Sequence, residues 1–281
     1  MVKGRDLAIT AVAPLVWGST YLVTATVLPP GMPLTTAVLR VLPVGLALMA
    51  WHRCVPRGRW LWRVLVLSAL NIAIFQGALF VAAYRLPGGV AATLGAIQPL
   101  LVALLGWPVL AMRPPAKALL AGAVGVAGVG LLALTPAARL DGVGVAAALI
   151  GAASMALGIT LGRRWTPPAS VMAYTSWQLV GGGLLLAPAA MWLEPPLPTL
   201  TLGQWAAYAY LGLIGAGLAY FLWFRGITRM PPSLVAPLGL LSPLCATVLG
   251  WAVAGQSLSA GQMAGAALVL GAVGLGTRAG R

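Results

Sequence analysis

Residues 85–107 of this chain recur 144 positions later, at residues 229–251, without an insertion. The shared identities include two prolines and a Gly-Trp pair. In the first copy the identical positions are Arg85, Pro87, Ala92, Leu94, Gly95, Pro99, Leu100, Leu105, Gly106 and Trp107. The spacing is about half of the 281 residues, so the match divides the chain into two similar halves.

Both copies lie in strongly apolar sequence. Hydrophobic residues make up 60% of the chain and charged residues only 7%, with a mean hydropathy of +0.97. A soluble domain carries about 25% charged residues, so an ordinary soluble fold is excluded. Stretches of about 20 apolar residues can cross a bilayer as α-helices. Their content of Ala, Leu, Val and Gly favours packed helices over a barrel, so we predict an all-α integral membrane protein.

Proline and glycine clusters mark the turns between these stretches, because proline cannot continue a helix. Pro29-Pro30-Gly31 and Pro195-Pro196 are examples. The breaks predict ten membrane spans: residues 6–28, 33–51, 61–84, 88–111, 115–134, 142–162, 170–193, 204–224, 231–254 and 259–277.

The basic residues predict the orientation of these spans, because basic loops resist translocation. If both termini are cytoplasmic, only Arg85 and Arg139 fall in loops on the other side, and Arg40 lies within the second span. The cytoplasmic side then holds Lys3, Arg5, Arg53, Arg57, Arg59, Arg63, Arg113, Lys117, Arg163, Arg164, Arg225, Arg229, Arg278 and Arg281. These charges occupy short separate turns, so the net charge of +14 does not predict a nucleic-acid partner.

Five spans per half is an odd number, so the second half must run opposite to the first. We therefore predict a 5+5 inverted-topology repeat, with residues 1–137 as the first five-helix unit and residues 138–281 as the second. Pro99 and Pro243 then lie at equivalent depths in spans four and nine. We predict that they act as hinges, and simple kinks for packing are the alternative.

The first span carries the segment Trp17-Gly18-Ser19-Thr20-Tyr21. This segment, the duplicated half, Arg40 after a proline-led second span, and the Pro99 and Pro243 segments resemble EamA-type members of the drug/metabolite transporter superfamily. The resemblance implies a ten-helix inverted repeat that moves small metabolites by alternating access. Its cavity would be lined mainly by spans other than five and ten. Within the family the chain most resembles exporters of amino acids, including aromatic ones.

The chain departs from this family at one position. Many members carry a glutamate after spans four and nine, whereas here the second turn reads Gly255-Gln256-Ser257-Leu258-Ser259. The acids Asp6, Asp141 and Glu194 all lie at an end or in a turn. A proton-coupled carrier normally uses a buried carboxylate or histidine, so we predict facilitated diffusion.

The scarcity of acidic residues and histidines also argues against an enzyme, a metal site or a cofactor, since catalysis needs a positioned base.

A substrate site in this chain must therefore be aromatic and neutral-polar, with at most one cation. Aromatic residues and glutamines recur at four-residue steps on several spans, which places them on one helix face. The predicted substrate-binding residues are Trp17, Thr20, Tyr21, Arg40, Gln76, Phe80, Tyr84, Gln98, Tyr174, Trp177, Gln178 and Tyr220. Two alternatives remain open: the glutamines can simply hydrogen-bond neighbouring helices, and Arg40 can extend to the membrane surface instead of binding a substrate carboxylate.

Such a site suits a neutral or zwitterionic molecule with an apolar body, and amino acids with aromatic or large apolar side chains fit best. Export of other small metabolites or drugs (threonine-like or homoserine-like molecules, purines, lipophilic compounds) and a non-transporting structural subunit are the alternatives. The expected partners are a small-molecule substrate and the lipid bilayer, with the chain a monomer or a homodimer. Low lysine with high alanine, glycine and arginine suggests a GC-rich bacterium and hence its cytoplasmic (inner) membrane.

Overall fold

The computed structural model describes residues 4–86, 91, 94–133, 141–254 and 259–279, and within these residues all regular secondary structure is helical. The first five helices are α1 (Gly4–Thr26), α2 (Pro33–His52), α3 (Arg59–Arg85), α4 (Gln98–Leu110) and α5 (Ala116–Ala133). The next three are α6 (Gly142–Arg164), α7 (Val171–Leu193) and α8 (Leu202–Arg229). Helix α9 has three consecutive parts (Pro232–Val235, Ala236–Leu240 and Leu241–Ala254), and α10 is Ala260–Ala279.

Eight of the described helices are long and apolar enough to cross a membrane, whereas Gln98–Leu110 and Ala116–Leu131 are shorter apolar helices. Their outward faces carry exposed leucines such as Leu46, Leu104 and Leu184, as a lipid-facing surface requires. The bounds of most predicted spans agree with those of an observed helix to within a few residues. The first residues of predicted span four, 88–90, 92 and 93, lie outside the described residues, as does the turn at residues 255–258.

Helix α8 extends beyond its predicted end at residue 224 and continues to Arg229. The extra turn is polar, and Arg225 within it donates to the carboxylate of Asp6 at 2.7 Å. This ion pair joins the beginning of α1 to the end of α8. The apolar pattern underestimated the helix because the turn is stabilised by a charge partner on another helix.

Helices α2 and α7 cross in antiparallel directions through close glycine contacts. Gly45 lies against the backbone of Leu179 and Val180, and Gly183 lies against Leu42. Helices α5 and α10 form a second antiparallel pair, in which Gly128 lies against Leu268. Glycine permits this approach because it has no side chain to hold the helix backbones apart.

Helix α2 also packs against α8, and these two helices run parallel. Thr36 faces Tyr208 near the start of α2, and Val44 faces Gly217 further along both helices. Helices α3 and α7 form a similar parallel pair, in which Ser68 lies against Gly181. The contact between α2 and α8 therefore has a counterpart between α7 and α3.

Two of the long helices contain a π-helical segment. In α3 it spans Ala69–Ile74, and in α8 it spans Leu213–Leu218. The two segments are 144 positions apart, which is the spacing of the sequence repeat. A π turn interrupts the regular hydrogen-bond ladder of the helix and often marks a functional position.

All three acidic side chains of the sequence lie at helix ends, as their positions in the sequence indicate. Asp6 pairs with Arg225, and Asp141 pairs with Arg85 at 3.2 Å. Glu194 accepts hydrogen bonds from the backbone N–H groups of residues 34 and 35, at 2.6 and 2.7 Å, in the first turn of α2. The positive N-terminal end of the α2 dipole stabilises this carboxylate.

Candidate functional site

The described helices surround a central cavity of about 110 Å³. Side chains from α1, α2, α3, α4, α6, α8 and α9 line it, and none of the lining residues belongs to the described parts of α5, α7 or α10. The wall combines aromatic rings with a few polar groups. The predicted site residues that line the cavity are Trp17, Thr20, Tyr21, Arg40, Gln76, Gln98 and Tyr220, together with the predicted hinges Pro99 and Pro243.

Arg40 is the charged residue among the described cavity-lining side chains, and it is only 1% exposed. Its Nη2 donates to the carbonyl oxygen of Gly215 at 3.0 Å, and its Cζ lies 5.7 Å from the centre of the Phe80 ring. Its Nε and Nη1 have no hydrogen-bond partner. The guanidinium group therefore faces the interior of the bundle and does not extend to the surface.

The carbonyl oxygen of Gly215 also accepts a hydrogen bond from Nε1 of Trp17 at 2.9 Å. Gly215 lies in the π segment of α8, where the regular ladder is interrupted. One backbone oxygen thus orients both the buried guanidinium and an indole ring of the cavity wall.

Gln76 and Tyr220 meet across the cavity wall. Nε2 of Gln76 donates to the hydroxyl of Tyr220 at 2.6 Å, and this hydroxyl donates to the carbonyl oxygen of Asn71 at 3.5 Å. Both side chains are at most 1% exposed, and Oε1 of Gln76 has no partner. Gln76 and Tyr220 are 144 positions apart, so they occupy the same place in the two copies of the repeat.

A series of ring contacts leads from the cavity toward the end of the bundle where α3 begins and α8 ends. The distances between ring centres are 5.2 Å from Trp17 to Tyr220, 5.4 Å from Tyr220 to Phe224, and 5.5 Å from Phe224 to Tyr174. Tyr174 in turn lies 6.3 Å from Trp60. We call these five residues the aromatic column. They fill the space between the cavity and this end of the bundle.

The predicted residues of α7 do not line the cavity. Tyr174 is part of the aromatic column, and Nε1 of Trp177 donates to the carbonyl oxygen of Cys54 at 2.7 Å. Oε1 of Gln178 accepts from Nδ2 of Asn71, also at 2.7 Å. All three side chains are buried between α7 and its neighbours, so any contact with a substrate would need another arrangement of α7.

Two predicted residues of α3 also lie outside the cavity wall. Phe80 is fully buried beneath the guanidinium of Arg40, and the hydroxyl of Tyr84 donates to the carbonyl oxygen of Pro29 at 2.8 Å. The stripe from Gln76 to Tyr84 extends along α3 as predicted, but only its Gln76 end reaches the cavity.

Gln178 and Arg40 occupy equivalent places in α7 and α2. Each lies seven residues after the first residue of its helix. Arg40 bonds to Gly215 in the π segment of α8, and Gln178 bonds to Asn71 in the π segment of α3. The cavity contains Arg40 but not Gln178, so the two equivalent places have different environments in this conformation.

The predicted hinges Pro99 and Pro243 both follow a break in regular α-helix. Pro99 is the second residue of α4, directly after a turn, and Pro243 follows the 3₁₀ segment Ala236–Leu240. Pro99 therefore lies in the first turn of α4, where a proline interrupts no helical hydrogen bond. Both prolines line the cavity, and their role as hinges stays a prediction.

Trp223 and Asn71 are among the residues of the site that were not predicted. Trp223 is fully buried, lies 5.2 Å from Trp17, and has no partner for its Nε1. It lies three residues after Tyr220, so the helical spacing that selected Tyr220 could also have selected Trp223. Asn71 is the one asparagine of the sequence and lies within an apolar span, which is itself a sign of an interior position.

Within the described residues, no group of His, Cys, Asp and Glu side chains is arranged to hold a metal ion. The buried polar atoms of the cavity wall that have no partner are Nε and Nη1 of Arg40, Nε1 of Trp223, Oε1 of Gln76 and Oγ1 of Thr20, and Tyr21, Gln98 and Ser242 add further polar side chains. Such a wall can orient a small polar ligand through hydrogen bonds and stack against its rings.

Comparison with known proteins identifies the family. The model of the EamA-like transporter family matches residues 6–134 and, a second time, residues 142–277. The chain belongs to the EamA-like transporter family. The resemblance noted in the Trp17–Tyr21 segment and the repeat is thereby confirmed, and this EamA-like protein is a multi-pass membrane transporter.

Its relatives cover nearly the whole chain. Protein PecM of Dickeya dadantii is 43% identical over 274 residues, which are 97% of this chain and 91% of PecM. The uncharacterized transporter YwfM of Bacillus subtilis is 32% identical, over 92% of this chain and 89% of its own. The uncharacterized inner membrane transporter YedA of Escherichia coli is 29% identical, over 87% and 81%. A crystal structure with 20% sequence identity covers 100% of this chain and 99% of its own at a TM-score of 0.81, so the fold is shared.

Proposed function

We propose that this EamA-like transporter exports small neutral or zwitterionic metabolites, with amino acids that carry aromatic or large apolar side chains as the best-fitting class. The observation that carries the proposal is the central cavity, whose aromatic wall holds one buried guanidinium with two unpaired nitrogens. The rings of Trp17, Tyr220 and Trp223 suit an indole or phenyl group. The guanidinium of Arg40 suits a carboxylate.

The size of the cavity supports transport by a change of conformation. A cavity of about 150 Å³ admits a benzene molecule, and pockets for drug-sized ligands are about 300–1,000 Å³. The 110 Å³ found here is too small for a whole aromatic amino acid. We infer that the walls separate to admit the substrate and close around a site that opens to alternate sides.

The proposed alternation rests on a 5+5 inverted repeat, residues 1–137 and 138–281, related by a two-fold axis in the membrane plane with both termini cytoplasmic. Three observations support it: the antiparallel crossing of α2 with α7, the equivalent π segments, and the equivalent bonds of Arg40 and Gln178. In the alternate state Gln178 and its neighbours on α7 would take up the environment that Arg40 has here. Pro99 and Pro243 would be the hinges.

We propose facilitated diffusion as the driving mode. The three carboxylates of the sequence bind partners at helix ends, and His52 is exposed at the end of α2. A buried proton relay of the usual residue types would have to come from these side chains. The proposal includes no covalent step, catalytic residue or cofactor. The similarity to the inner membrane transporter YedA supports a bacterial inner-membrane location.

Counterflow tests the proposal. Purified protein would be reconstituted into liposomes preloaded with an amino-acid mixture, without any ion gradient, and labelled tryptophan, phenylalanine and threonine would be supplied outside. Saturable uptake of the two aromatic amino acids would support the proposed substrate class. Uptake of threonine alone would favour the export of small polar metabolites. No uptake by folded protein would refute the proposed substrates, and an imposed pH gradient that drove accumulation would refute facilitated diffusion.

A further inference from the structure

The positive charge of Arg40 has no carboxylate to balance it inside the bundle. The sequence contains only three acidic side chains, and each binds other groups at a helix end. Asp6 binds Arg225, Asp141 binds Arg85, and Glu194 binds the first turn of α2. A buried charge without a counterion is unfavourable in a low-dielectric interior, and an anion bound beside it removes that penalty.

The other unpaired atoms of the cavity wall do not favour a cation. Unpaired hydrogen-bond donors belong to Arg40 and to Nε1 of Trp223, and the wall adds neutral hydroxyl and amide groups from Thr20, Tyr21, Gln76, Gln98 and Ser242. An ammonium group would have only neutral amide and hydroxyl oxygens of this described wall to bind, close to a positive charge. A carboxylate would have several N–H donors to bind, and those of the Arg40 guanidinium are charged.

We propose that the transporter recognises a carboxylate attached to an aromatic or large apolar group, and that the ammonium group of an amino acid is not required. This inference rests on the proposed function, because it concerns the same cavity. Arg40 is the anion-binding residue, and the rings of the wall bind the apolar part. Carboxylic acids that lack the amine are then substrates of the same site.

The net charge of the complex gives the order of affinities. An arylalkyl carboxylate carries one negative charge and neutralises the cavity, whereas a zwitterion leaves the positive charge of Arg40 in excess. An amine without a carboxylate adds a second positive charge to the cavity and is repelled. We therefore expect the carboxylate to bind at least as tightly as the amino acid, and the amine to bind least.

Three molecules with the same ring and a short side chain test this order: phenylpropionate, phenylalanine and phenylethylamine. Each would be titrated into the purified full-length protein in detergent, and the rise in melting temperature would report binding. Each would also compete with labelled phenylalanine for uptake into proteoliposomes. We expect phenylpropionate to bind no more weakly than phenylalanine, and phenylethylamine to bind about 100-fold more weakly, as the loss of a charged hydrogen-bonding group predicts.

Variants of Arg40 assign the order to this side chain. Arg40→Gln should abolish the preference for phenylpropionate over phenylethylamine, and Arg57→Gln, the same change in an exposed loop, should leave it unchanged. Arg40→Lys keeps the charge and should keep the preference, which provides a second test should Arg40→Gln fold poorly.

The two proposals can fail separately. If phenylalanine binds and is taken up while phenylpropionate does neither, the inference is wrong and the proposed function stands. If phenylpropionate binds and phenylalanine does neither, the inference stands and amino-acid export is wrong. An Arg40→Gln variant that keeps the full preference for phenylpropionate would overturn the role of Arg40.

Discussion

The crossing of α2 and α7 leaves no room for a methyl group at Gly45. A Cβ atom at this position would lie 2.9 Å from Cβ of Leu179 and 2.9 Å from the backbone nitrogen of Val180. Carbon atoms in good contact are about 3.5–4.0 Å apart, and a backbone atom cannot turn aside as a side chain can. Gly45→Ala should therefore push α2 away from α7 by up to about 1 Å.

Overpacking of this kind destabilises a protein by about 1–3 kcal/mol. Alanine also has a higher helix propensity than glycine, by about 1 kcal/mol, which partly hides the effect. Gly271→Ala provides the matched control, because Gly271 lies within α10 and a Cβ there would have no neighbour within 4 Å. The difference between the two variants isolates the packing contribution.

We expect Gly45→Ala to melt about 2–12 °C below Gly271→Ala, at about 2–4 °C per kcal/mol for a chain of this size. Thermal unfolding in detergent, followed by tryptophan fluorescence at one scan rate, measures this difference. Counterflow by the same preparation should also fall, because α2 carries Arg40. Equal melting temperatures would refute the close crossing of α2 and α7.

Three further predictions concern polar contacts. Tyr220→Phe removes the acceptor of the Gln76 amide and should lower stability by about 1–3 kcal/mol, measured as a lower melting temperature, with reduced counterflow; an unchanged protein would show that the amide finds another partner. Asp141 accepts a hydrogen bond from the backbone N–H of Gly144 at the start of α6, and this bond lowers the pKa of the Asp141 carboxyl. The contribution of Asp141 to stability is therefore fully present above the ordinary pKa and is lost as the pH falls through the lowered pKa. Asp141→Asn should therefore flatten the acid side of the plot of melting temperature against pH, and an unaltered plot would contradict this assignment. Asp6→Asn leaves Arg225 without its carboxylate and should lower stability by about 1–3 kcal/mol. Because the two side chains are only 16% and 20% exposed, this loss should be nearly equal in low and high salt, and a loss that disappears in high salt would contradict a shielded pair.

The helices could be predicted from the sequence because the bilayer demands long apolar segments and proline marks where they end. For α2 the predicted and observed bounds differ by one residue, from 33–51 to Pro33–His52. The same reasoning fails where a polar turn stays helical through a partner on another helix, as Arg225 does with Asp6.

The face of each helix could be predicted from spacing, but the depth at which it meets the cavity could not. Gln76 and Tyr84 lie on one stripe of α3, and only Gln76 reaches the cavity. Trp177 and Gln178 satisfy every sequence criterion for a wall residue, yet α7 packs them against α3 and the loop at Cys54. Depth depends on which parts of the bundle are closed, and that is a property of the conformation rather than of any one segment.

The π segments were not predictable either. Ala69–Ile74 is apolar apart from Asn71, Leu213–Leu218 is apolar throughout, and neither contains a proline, so their residue types do not distinguish a π turn from an ordinary helix. They matter because the carbonyl oxygen of Gly215 and the side chain of Asn71 are the partners of Arg40 and Gln178.

The acceptor that orients Arg40 belongs to the main chain, so no side-chain substitution can delete it. An alanine scan along α8 would retain the carbonyl oxygen of Gly215 in every variant. Substitution of Gly215 would therefore leave transport unchanged unless the added methyl group disturbed the site. Deleting one residue from the π turn, or replacing an amide there with an ester, would alter that oxygen directly. Laboratory selection for new specificities would therefore change the rings around the guanidinium far more readily than the direction in which the guanidinium points.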